Sequence, residues 1–245
     1  MIRTVSLLGF EFADLGVRDA AALIGARPSG APFAYVVTPN ADHLVRLSRD
    51  TGMAALYRGA WLRLLDSRVV AGLHALTGRP TPAVTTGSDL TAALLSDHLR
   101  PGERVTIIGL DPRHLPVLVR RLGLAPPLHH NPPMGFDRDP RAFAAAVDFV
   151  RANPARLVFL AVGSPRQERL AAALAEAGAT GTGLCIGASL DFLSGAERRA
   201  PVWMREHGLE WAFRLTRDPR RMARRYLLDC PRVLPLLLRE LRRGA

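Results

Sequence analysis

The sequence predicts an α/β protein whose core is a parallel sheet with helices on both faces. Short apolar runs of strand length alternate with segments of helical pattern between residues 34 and 187. This order is typical of parallel α/β sheets. The strand-length runs are continuously apolar, which is the pattern expected for strands buried on both faces.

Five apolar runs are candidate strands, and each ends in small or polar residues. They span residues 34–37, 61–65, 104–108, 157–162 and 183–186. Candidate helices lie at residues 41–52, 88–99, 114–122, 141–152 and 167–177. The Pro- and Gly-rich stretch 125–140 is expected to be a loop between two halves of the core. Because ligands bind beyond the carboxyl ends of parallel strands, those ends are the place to look for a site.

The charge of the chain is concentrated near its end. The 245 residues include 33 basic residues, all arginines, and 22 acidic ones, so the formal net charge is 33 − 22 = +11. Residues 195–245 hold 13 arginines and 6 acids, which accounts for +7 of that total. We therefore predict a core of residues 1–195 followed by an Arg-rich helical appendage of residues 196–245. The composition, 48% hydrophobic and 22% charged, excludes wholesale disorder.

Several classes of protein are disfavoured by missing motifs. No Gly-x-Gly-x-x-Gly follows the first candidate strand, and a chain without lysine has no Gly-Lys-Ser/Thr phosphate loop. Cys185 and Cys230 are too few for a disulfide framework or a cysteine zinc cluster, and we expect both to be small buried side chains. The seven histidines show no metal-ligand spacing. We therefore predict neither a metal nor a cofactor.

Targeting signals are also missing from the sequence. No apolar segment follows a basic start at the N-terminus, and no apolar run approaches the roughly 18 residues that span a bilayer. We expect a cytoplasmic protein, with peripheral contact to a membrane left open.

Polar residues end two of the candidate strands. Asp66 follows the strand at residues 61–65, where packing gives no reason for a carboxylate. It is either a helix cap or a general base that deprotonates a hydroxyl. Thr38 and Asn40 follow the strand at residues 34–37, where they either bind a ligand or cap the next helix.

Small residues mark two further candidate segments. Gly87 and Ser88 open a predicted helix, whose amides and dipole favour an anion, although the pattern is equally that of a plain N-cap. Gly187 and Asp191 belong to a run of small residues that lets the backbone pass close to a ligand or to a neighbouring helix.

Long polar side chains crowd another predicted helix start. Arg166, Gln167 and Glu168 follow Pro165, which suits a first helical turn. Three such side chains exceed what capping requires, so we interpret them as part of a binding site.

The appendage contains arginines at helical spacing. A three- and four-residue spacing relates Arg214, Arg217, Arg221, Arg224 and Arg225, which places several guanidinium groups on one face of a predicted helix over residues 214–226. Asp218 is the only acid between residues 214 and 225. An anion such as phosphate or diphosphate would neutralise this face.

These segments, taken in order, resemble one family, the WecG/TagA/CpsF glycosyltransferases (family 26). The resemblance covers roughly residues 2–230, and its specificity comes from the ordered set rather than from any single motif. The matching segments are Thr38-Pro39-Asn40-Ala41-Asp42-His43, Asp66, Thr86-Gly87-Ser88-Asp89-Leu90, Gly163-Ser164-Pro165-Arg166-Gln167-Glu168, Gly187-Ala188-Ser189-Leu190-Asp191-Phe192, Arg199-Ala200-Pro201, Leu209-Glu210-Trp211 and Pro219-Arg220-Arg221.

The resemblance implies a Rossmann-like core and an inverting transfer of a sugar from a UDP-sugar donor. The implied acceptor is a polyprenyl-diphosphate-linked sugar at the cytoplasmic face of the cell membrane, in surface polysaccharide synthesis. By resemblance, Asp66 is the general base, and Thr38, Asn40 and Gln167 line its pocket. The resemblance assigns the diphosphate leaving group to three appendage residues, Arg214, Arg221 and Arg224.

Two departures from the family pattern affect the pocket. The family often has Asp-Gly at the catalytic strand end, where this chain has Asp66-Ser67-Arg68. Many relatives carry Glu-Arg where this chain has Ala83-Val84. We expect Arg68 to replace the missing arginine.

Two alternatives to transfer are also compatible with the sequence. A homologue that binds a UDP-sugar without turnover would fit the two departures. The charge of +11 also fits a nucleic-acid-binding protein, which would need exposed aromatic residues within a basic face. We predict no nucleic-acid partner, and homo-oligomerisation is left open.

Overall fold

The computed structural model describes residues 2–223 and 230–243, and within them strands alternate with helices. The strands are β1 (Thr4–Leu7), β2 (Phe10–Ala13), β3 (Ala34–Val37), β4 (Leu62–Arg63), β5 (Thr106–Gly109), β6 (Leu128–His130), β7 (Leu157–Ala161) and β8 (Thr182–Cys185). The helices are α1 (Val17–Gly25), α2 (Ala41–Leu47), α3 (Thr51–Arg58), α4 (Arg68–Ala75), α5 (Gly87–Asp97), α6 (Leu115–Leu122), α7 (Pro140–Ala152), α8 (Arg166–Glu176), α9 (Ser189–Ser194), α10 (Val202–Glu206), α11 (Glu210–Arg217), α12 (Pro219–Ala223) and α13 (Val233–Arg243).

Strands β3 to β8 form a six-stranded parallel sheet in the described chain, in the order β4-β3-β8-β7-β5-β6. Near its β4 edge, Val36 of β3 lies opposite Leu62 of β4 on one side and Leu184 of β8 on the other. Strands β1 and β2 form a separate antiparallel hairpin. The predicted α/β class with a parallel sheet is confirmed.

The two faces of the sheet bury different helices. Successive strand residues alternate between two apolar clusters, because side chains along a strand point to opposite faces. Tyr35 and Val37 join the cluster formed with α2, α3, α7 and α8, whereas Val36 joins the cluster formed with α1, α5 and α6. Right-handed crossovers explain this division, since connections that run in opposite directions along the sheet lie on opposite faces.

Three local predictions differ from the structure. The predicted helix over residues 41–52 is two helices, because the Asp50 side chain accepts a hydrogen bond from the amide of Met53 (2.9 Å) and starts α3 anew. The predicted strand at residues 61–65 is paired as a strand only over Leu62–Arg63. The stretch 125–140, expected to be a loop, contains β6, which is formed by pairing with β5.

The predicted helix over residues 214–226 is interrupted. Helix α11 ends at Arg217, and α12 begins at Pro219. A proline disfavours the helical conformation of the residue before it, so Asp218 leaves the helix with ψ of 73°. Residues 224–226 lie outside the described part of the chain.

The last described helix packs against the core. Val233 and Leu237 of α13 are 2% and 4% exposed and belong to the same apolar cluster as α2, α3, α7 and α8. The Glu240 carboxylate accepts a hydrogen bond from the amide of Leu8 at 2.6 Å. Arg79 donates to the carbonyls of Glu240 and Leu241, both at 3.5 Å. Helix α13 is therefore held against the core and forms one wall of the space between the appendage and the sheet.

Candidate active site

A cavity of about 490 Å³ lies at the carboxyl ends of β3 and β4. Its walls come from the starts of α2, α4 and α5 on the core side and from α10, α11 and α13 on the appendage side. Asn40, Asp66, Arg68 and Arg214, all predicted from the sequence, line it together. Parallel strands bring their carboxyl ends to one edge, which explains why residues far apart in sequence meet here.

Asp66 is placed at this edge by both neighbouring segments. Its amide donates to the Pro39 carbonyl (3.0 Å), and its Oδ2 accepts from the Gly87 amide (3.1 Å). Its Oδ1 accepts no hydrogen bond from the described part of the chain. Burial raises the pKa of Asp66 to about 6, against the opposing effects of the Gly87 amide, Arg214 and Arg199. A carboxylate with a pKa near neutrality is suited to general base catalysis.

Asp66 is not a helix cap. The Ser67 hydroxyl caps α4 by accepting from the amide of Val70 at 3.2 Å. Thr86 likewise caps α5 by accepting from the amide of Asp89 at 3.1 Å. The capping interpretation therefore fails for Asp66, and Ser88 is not the cap of α5.

Gly87 lets two polar side chains approach each other. A Cβ atom at Gly87 would lie 2.9 Å from Thr38 Oγ1 and 3.7 Å from Asp66 Oδ2. The Ser88 hydroxyl lies 3.3 Å from that of Ser189, which is 2% exposed. Thr38 and Asp66, which follow two neighbouring strands, thus meet at Gly87, and Ser88 contacts Ser189 beside them.

Asn40 fits both interpretations made of it. Its side chain accepts from the amide of His43 (3.3 Å) and caps α2, and the residue also lines the cavity.

The cationic wall of the cavity contains some of the predicted arginines. Arg214 donates to Glu210 at 3.1 Å, and its guanidinium lies 5.0 Å from the centroid of the Phe192 ring. Arg68 is exposed at the cavity mouth. Arg221 belongs to α12. Arg224 lies outside the described residues.

A second group of predicted residues lies behind the cavity, beneath the loop after β8. Gln167 and Glu168 are 3% and 1% exposed. The Gln167 Nε2 donates to Glu168 Oε1 (3.0 Å), and its Oε1 accepts from the Gly187 amide (2.9 Å). The Tyr57 hydroxyl donates to the same Glu168 oxygen at 2.9 Å. These side chains hold the loop that carries Gly187, and they do not line the Asp66 cavity.

Arg166 and Asp191 lie toward the middle of the sheet. Arg166 Nη1 lies 3.0 Å from the sulfur of Met134. Burial raises the pKa of Asp191, and the charge of Glu197 adds to the increase. Arg166 follows the carboxyl end of β7 and Asp191 follows that of β8, and neither residue lines the Asp66 cavity.

Sequence reasoning missed four charged or polar residues of the site. Asp89 lines the cavity and bonds to Arg199 and Arg205, while Ser189 supports Ser88. Asp89 and Arg199 lie inside segments that match the family pattern, so the sequence marked the neighbourhood of both residues. Arg205 gave none, because nothing in its spacing relates it to α5.

The two cysteines have different surroundings. Cys185 is 2% exposed, as expected, and burial raises the pKa of its thiol. Cys230 is half-buried and lines the cavity, so the expectation of a buried side chain is wrong for it.

Two features are absent from the described residues, a metal-binding cluster and a membrane-spanning helix. No group of three His, Cys, Asp or Glu side chains is arranged to hold a metal ion in residues 2–223 and 230–243. None of the helices in those ranges combines the length and the apolar character that crossing a bilayer requires.

The fold and the site define an enzyme class. A parallel α/β core presents a carboxylate of raised pKa at its strand ends, beside arginines suited to an anionic substrate group. The chain matches the model of the glycosyl transferase WecG/TagA/CpsF family over residues 5–245. It belongs to this family and is a glycosyltransferase, as the sequence resemblance predicts.

A curated relative is similar across most of the chain. The N-acetylglucosaminyldiphosphoundecaprenol N-acetyl-beta-D-mannosaminyltransferase of Bacillus spizizenii is 26% identical over 217 residues. The alignment covers 86% of this chain and 81% of the relative.

Proposed function

We propose that this glycosyltransferase moves a sugar, with inversion, from a UDP-sugar to a saccharide linked to polyprenyl diphosphate. The reaction would serve the synthesis of a surface polysaccharide. One observation carries the proposal: Asp66, with a pKa raised to about 6, faces a cavity that four arginines also line.

Asp66 acts as the general base in this reaction. Its Oδ1 takes the proton of the acceptor hydroxyl while that oxygen attacks the anomeric carbon. UDP leaves from the opposite side with the electrons of the broken bond, so a single displacement inverts the configuration. Guanidinium groups directed at the departing diphosphate stabilise the charge that develops on it. Arg214, Arg221 and Arg224 are our candidates for this role, and Arg68 is a candidate for a further contact.

We assign the nucleotide of the donor to the middle of the sheet. The chain runs from β5 to β6 in one direction and from β7 to β8 in the other, so β5 and β7 form the switch point of the topology. Open α/β sheets bind ligands at such a point, beyond the carboxyl ends of the strands. Arg166 and Asp191 stand beside it, and the Gln167–Glu168–Gly187 network would hold the loop that completes it.

The name of the relative supports a particular pair of substrates. Its name describes transfer of N-acetylmannosamine to N-acetylglucosaminyl-diphosphoundecaprenol. N-acetylmannosamine is therefore the first donor sugar to test, followed by its uronic acid and by gluco-configured sugars. Ser67-Arg68 and Ala83-Val84, where this chain departs from the family pattern, favour a screen over a single assumed donor.

The test is transfer of a sugar to a short-chain polyprenyl-diphosphate-N-acetylglucosamine acceptor. The wild-type protein is incubated with each UDP-sugar, the product mass is read by mass spectrometry, and the anomeric configuration is read by NMR. We expect one UDP-sugar to give a product of inverted configuration.

Asp66→Asn should lower turnover by about 10²- to 10⁴-fold, because it removes the base and keeps an acceptor for the Gly87 amide. Asp97→Asn, a change at an exposed carboxylate of α5, is the matched control and should keep full activity. Full activity in Asp66→Asn would contradict the base assignment.

We also propose that the protein acts at the inner face of the cell membrane, where a lipid-linked acceptor would be found. Apolar side chains remain exposed beside the cavity on the appendage, including Trp203 (58% exposed) and Leu238 (55%). Val202 and Leu234 both line the cavity and are also exposed. Apolar side chains among arginines favour an anionic lipid surface.

A further inference from the structure

Three charged side chains from separate segments meet on the α5 side of the Asp66 cavity. Arg199 Nη1 lies 2.7 Å from Asp89 Oδ1, and Arg205 Nη1 lies 3.3 Å from the same oxygen. All three residues line the cavity. Two guanidinium groups therefore share one carboxylate oxygen at the wall of a substrate-sized space.

This cluster carries an excess of positive charge and of donors. One carboxylate faces two guanidinium groups, so the cluster has a formal charge of +1. The Nε atoms of Arg199 and Arg205 are buried and find no acceptor in the described part of the chain. A buried donor without an acceptor costs free energy, which an acceptor-rich ligand would recover.

The other charged residues of the cavity do not neutralise the pair directly. Glu210 is bonded to Arg214, and Asp66 accepts from the Gly87 amide. Glu206 and Arg68 are exposed at the mouth. An anion that enters the cavity thus finds the Arg199–Arg205 pair beside the proposed base.

The two arginines are held differently. Arg199 bonds to Asp89 and also donates to Thr86 Oγ1 at 3.3 Å. Arg205 contacts Asp89 at the longer distance. Burial raises the pKa of Asp89, but hydrogen bonds from Arg199 and Thr86, with the smaller effects of the two arginine charges, outweigh burial and leave that pKa below its ordinary value. Asp89 stays ionised through Arg199 and Thr86, so Arg205 is the member able to exchange its carboxylate partner for another anion.

We propose that the Arg199–Asp89–Arg205 cluster binds a substrate diphosphate, with Arg205 turning from Asp89 to a phosphate oxygen when the ligand enters. The proposal rests on the proposed function, since both proposed substrates carry a diphosphate. A guanidinium matches phosphate with two parallel hydrogen bonds, whereas the Asp89 contact of Arg205 uses a single nitrogen. Arg205 is then a substrate-binding residue outside the set predicted from the sequence.

Arg205→Gln tests the proposal directly, and Arg198→Gln is its matched control. Arg198 is the exposed neighbour of Arg199 and does not line the cavity. Titration calorimetry measures binding of inorganic diphosphate and of UDP, and initial rates give the KM of each substrate. We expect Arg205→Gln to weaken diphosphate binding by about 10- to 100-fold, and Arg198→Gln to leave it within about twofold.

The measurements on each substrate show whether the diphosphate belongs to the donor or to the acceptor. Weaker UDP binding with a raised donor KM assigns the cluster to the donor. A raised acceptor KM with unchanged UDP binding assigns it to the lipid-linked acceptor. Either result supports the proposal. The diphosphate affinity of Arg205→Lys should fall between those of the wild type and Arg205→Gln, because lysine keeps the charge but cannot form the two parallel hydrogen bonds of a guanidinium.

Asp89→Asn separates ligand binding from a structural role. If Asp89 competes with the ligand for Arg205, Asp89→Asn binds diphosphate at least as tightly as the wild type does. A merely structural ion pair would instead make Asp89→Asn and Arg205→Gln lose binding alike, together with a lower Tm, and that result would overturn the proposal.

The proposal and the proposed function fail separately. If the wild type transfers sugar and Arg205→Gln matches Arg198→Gln in every assay, the cluster proposal is overturned and the function stands. If no UDP-sugar is used, yet Arg205→Gln still loses diphosphate binding, the function is overturned and the cluster stands.

Discussion

The ionisation of Asp66 sets the pH range in which the proposed base works. Because burial raises its pKa to about 6, Asp66 is ionised at pH 8 and protonated at pH 5. We expect kcat/KM to be level above the pKa and to fall about tenfold per pH unit below it, since only the carboxylate accepts a proton. A pH–rate profile of the wild type, fitted for a free-enzyme pKa, checks this. A profile that stays level down to pH 4.5 would exclude Asp66 as the titrating base.

The same pKa shift predicts how stability depends on pH. The folded-state pKa of about 6 exceeds the ordinary value of 3.8, so the folded protein binds more protons between these values. Ionised Asp66 therefore lowers stability at high pH, and the effect disappears as pH falls below 3.8. Urea unfolding of Asp66→Asn should show a gain of about 2 kcal/mol over the wild type at pH 8 and a smaller gain at pH 5. This measurement extends the Asp66→Asn activity test and needs no substrate.

Single residues differ in how far the sequence predicts them. Asp66 and Thr38 follow apolar strands, and parallel strands must bring such positions to one edge, so their proximity is predictable. Gln167 was also expected in the pocket, but its two hydrogen bonds to Glu168 and Gly187 turn it into the interior. The contact of Arg205 with Asp89 joins residues 116 positions apart, and no local pattern encodes it.

At the scale of elements, α13 shows that the appendage contributes to the core. Leu237 is 4% exposed, whereas its neighbour Leu238 is 55% exposed on the same helix. Leu237→Ala should therefore lower the free energy of unfolding by about 3 kcal/mol, or release α13 from the core at a similar cost, because it leaves a cavity. Chemical denaturation and limited proteolysis near the C-terminus measure the two effects.

Leu238→Ala is the matched control for the docking of α13. It removes the same atoms from the same helix at an exposed position, so stability should change by less than about 0.5 kcal/mol. Equal effects of the two substitutions would mean that α13 is not held by Leu237.

Elements whose own residues show an apolar pattern could be predicted from the sequence. Elements that form only by pairing with another part of the chain could not. The alternation of strands and helices from β3 to β8 follows from apolar patterning. Strand β6 is three residues long and depends on pairing with β5. The Nε2 atom of His129 also forms a hydrogen bond of 2.8 Å with the carbonyl of Gly109, at the end of β5. The break before Pro219 arises because a proline disfavours the helical conformation of the residue before it. The arginine spacing over residues 214–226 instead predicted one continuous helix.

For the whole molecule, the division of charge and apolar surface predicts how the protein meets a membrane. The last 51 residues carry +7 of the net charge of +11, and exposed apolar side chains lie beside the cavity on the same segment. Basic residues attract anionic lipids, and apolar side chains enter the interface. We therefore expect the protein to sediment with phosphatidylglycerol vesicles and to bind phosphatidylcholine vesicles weakly, with binding that falls as salt rises.

The double change Trp203→Ser with Leu238→Ser tests which surface enters the lipid. It should weaken binding to phosphatidylglycerol vesicles by about 10- to 100-fold, because two large apolar side chains no longer leave water. The control is Met134→Ser, which removes a side chain that is 89% exposed but lies outside the appendage, and it should bind like the wild type. Transfer to a water-soluble short-chain acceptor should be unchanged in the double variant, since neither Trp203 nor Leu238 lines the cavity. If Met134→Ser weakens binding as much as the double change does, the membrane-facing surface is not the one assigned to α10 and α13.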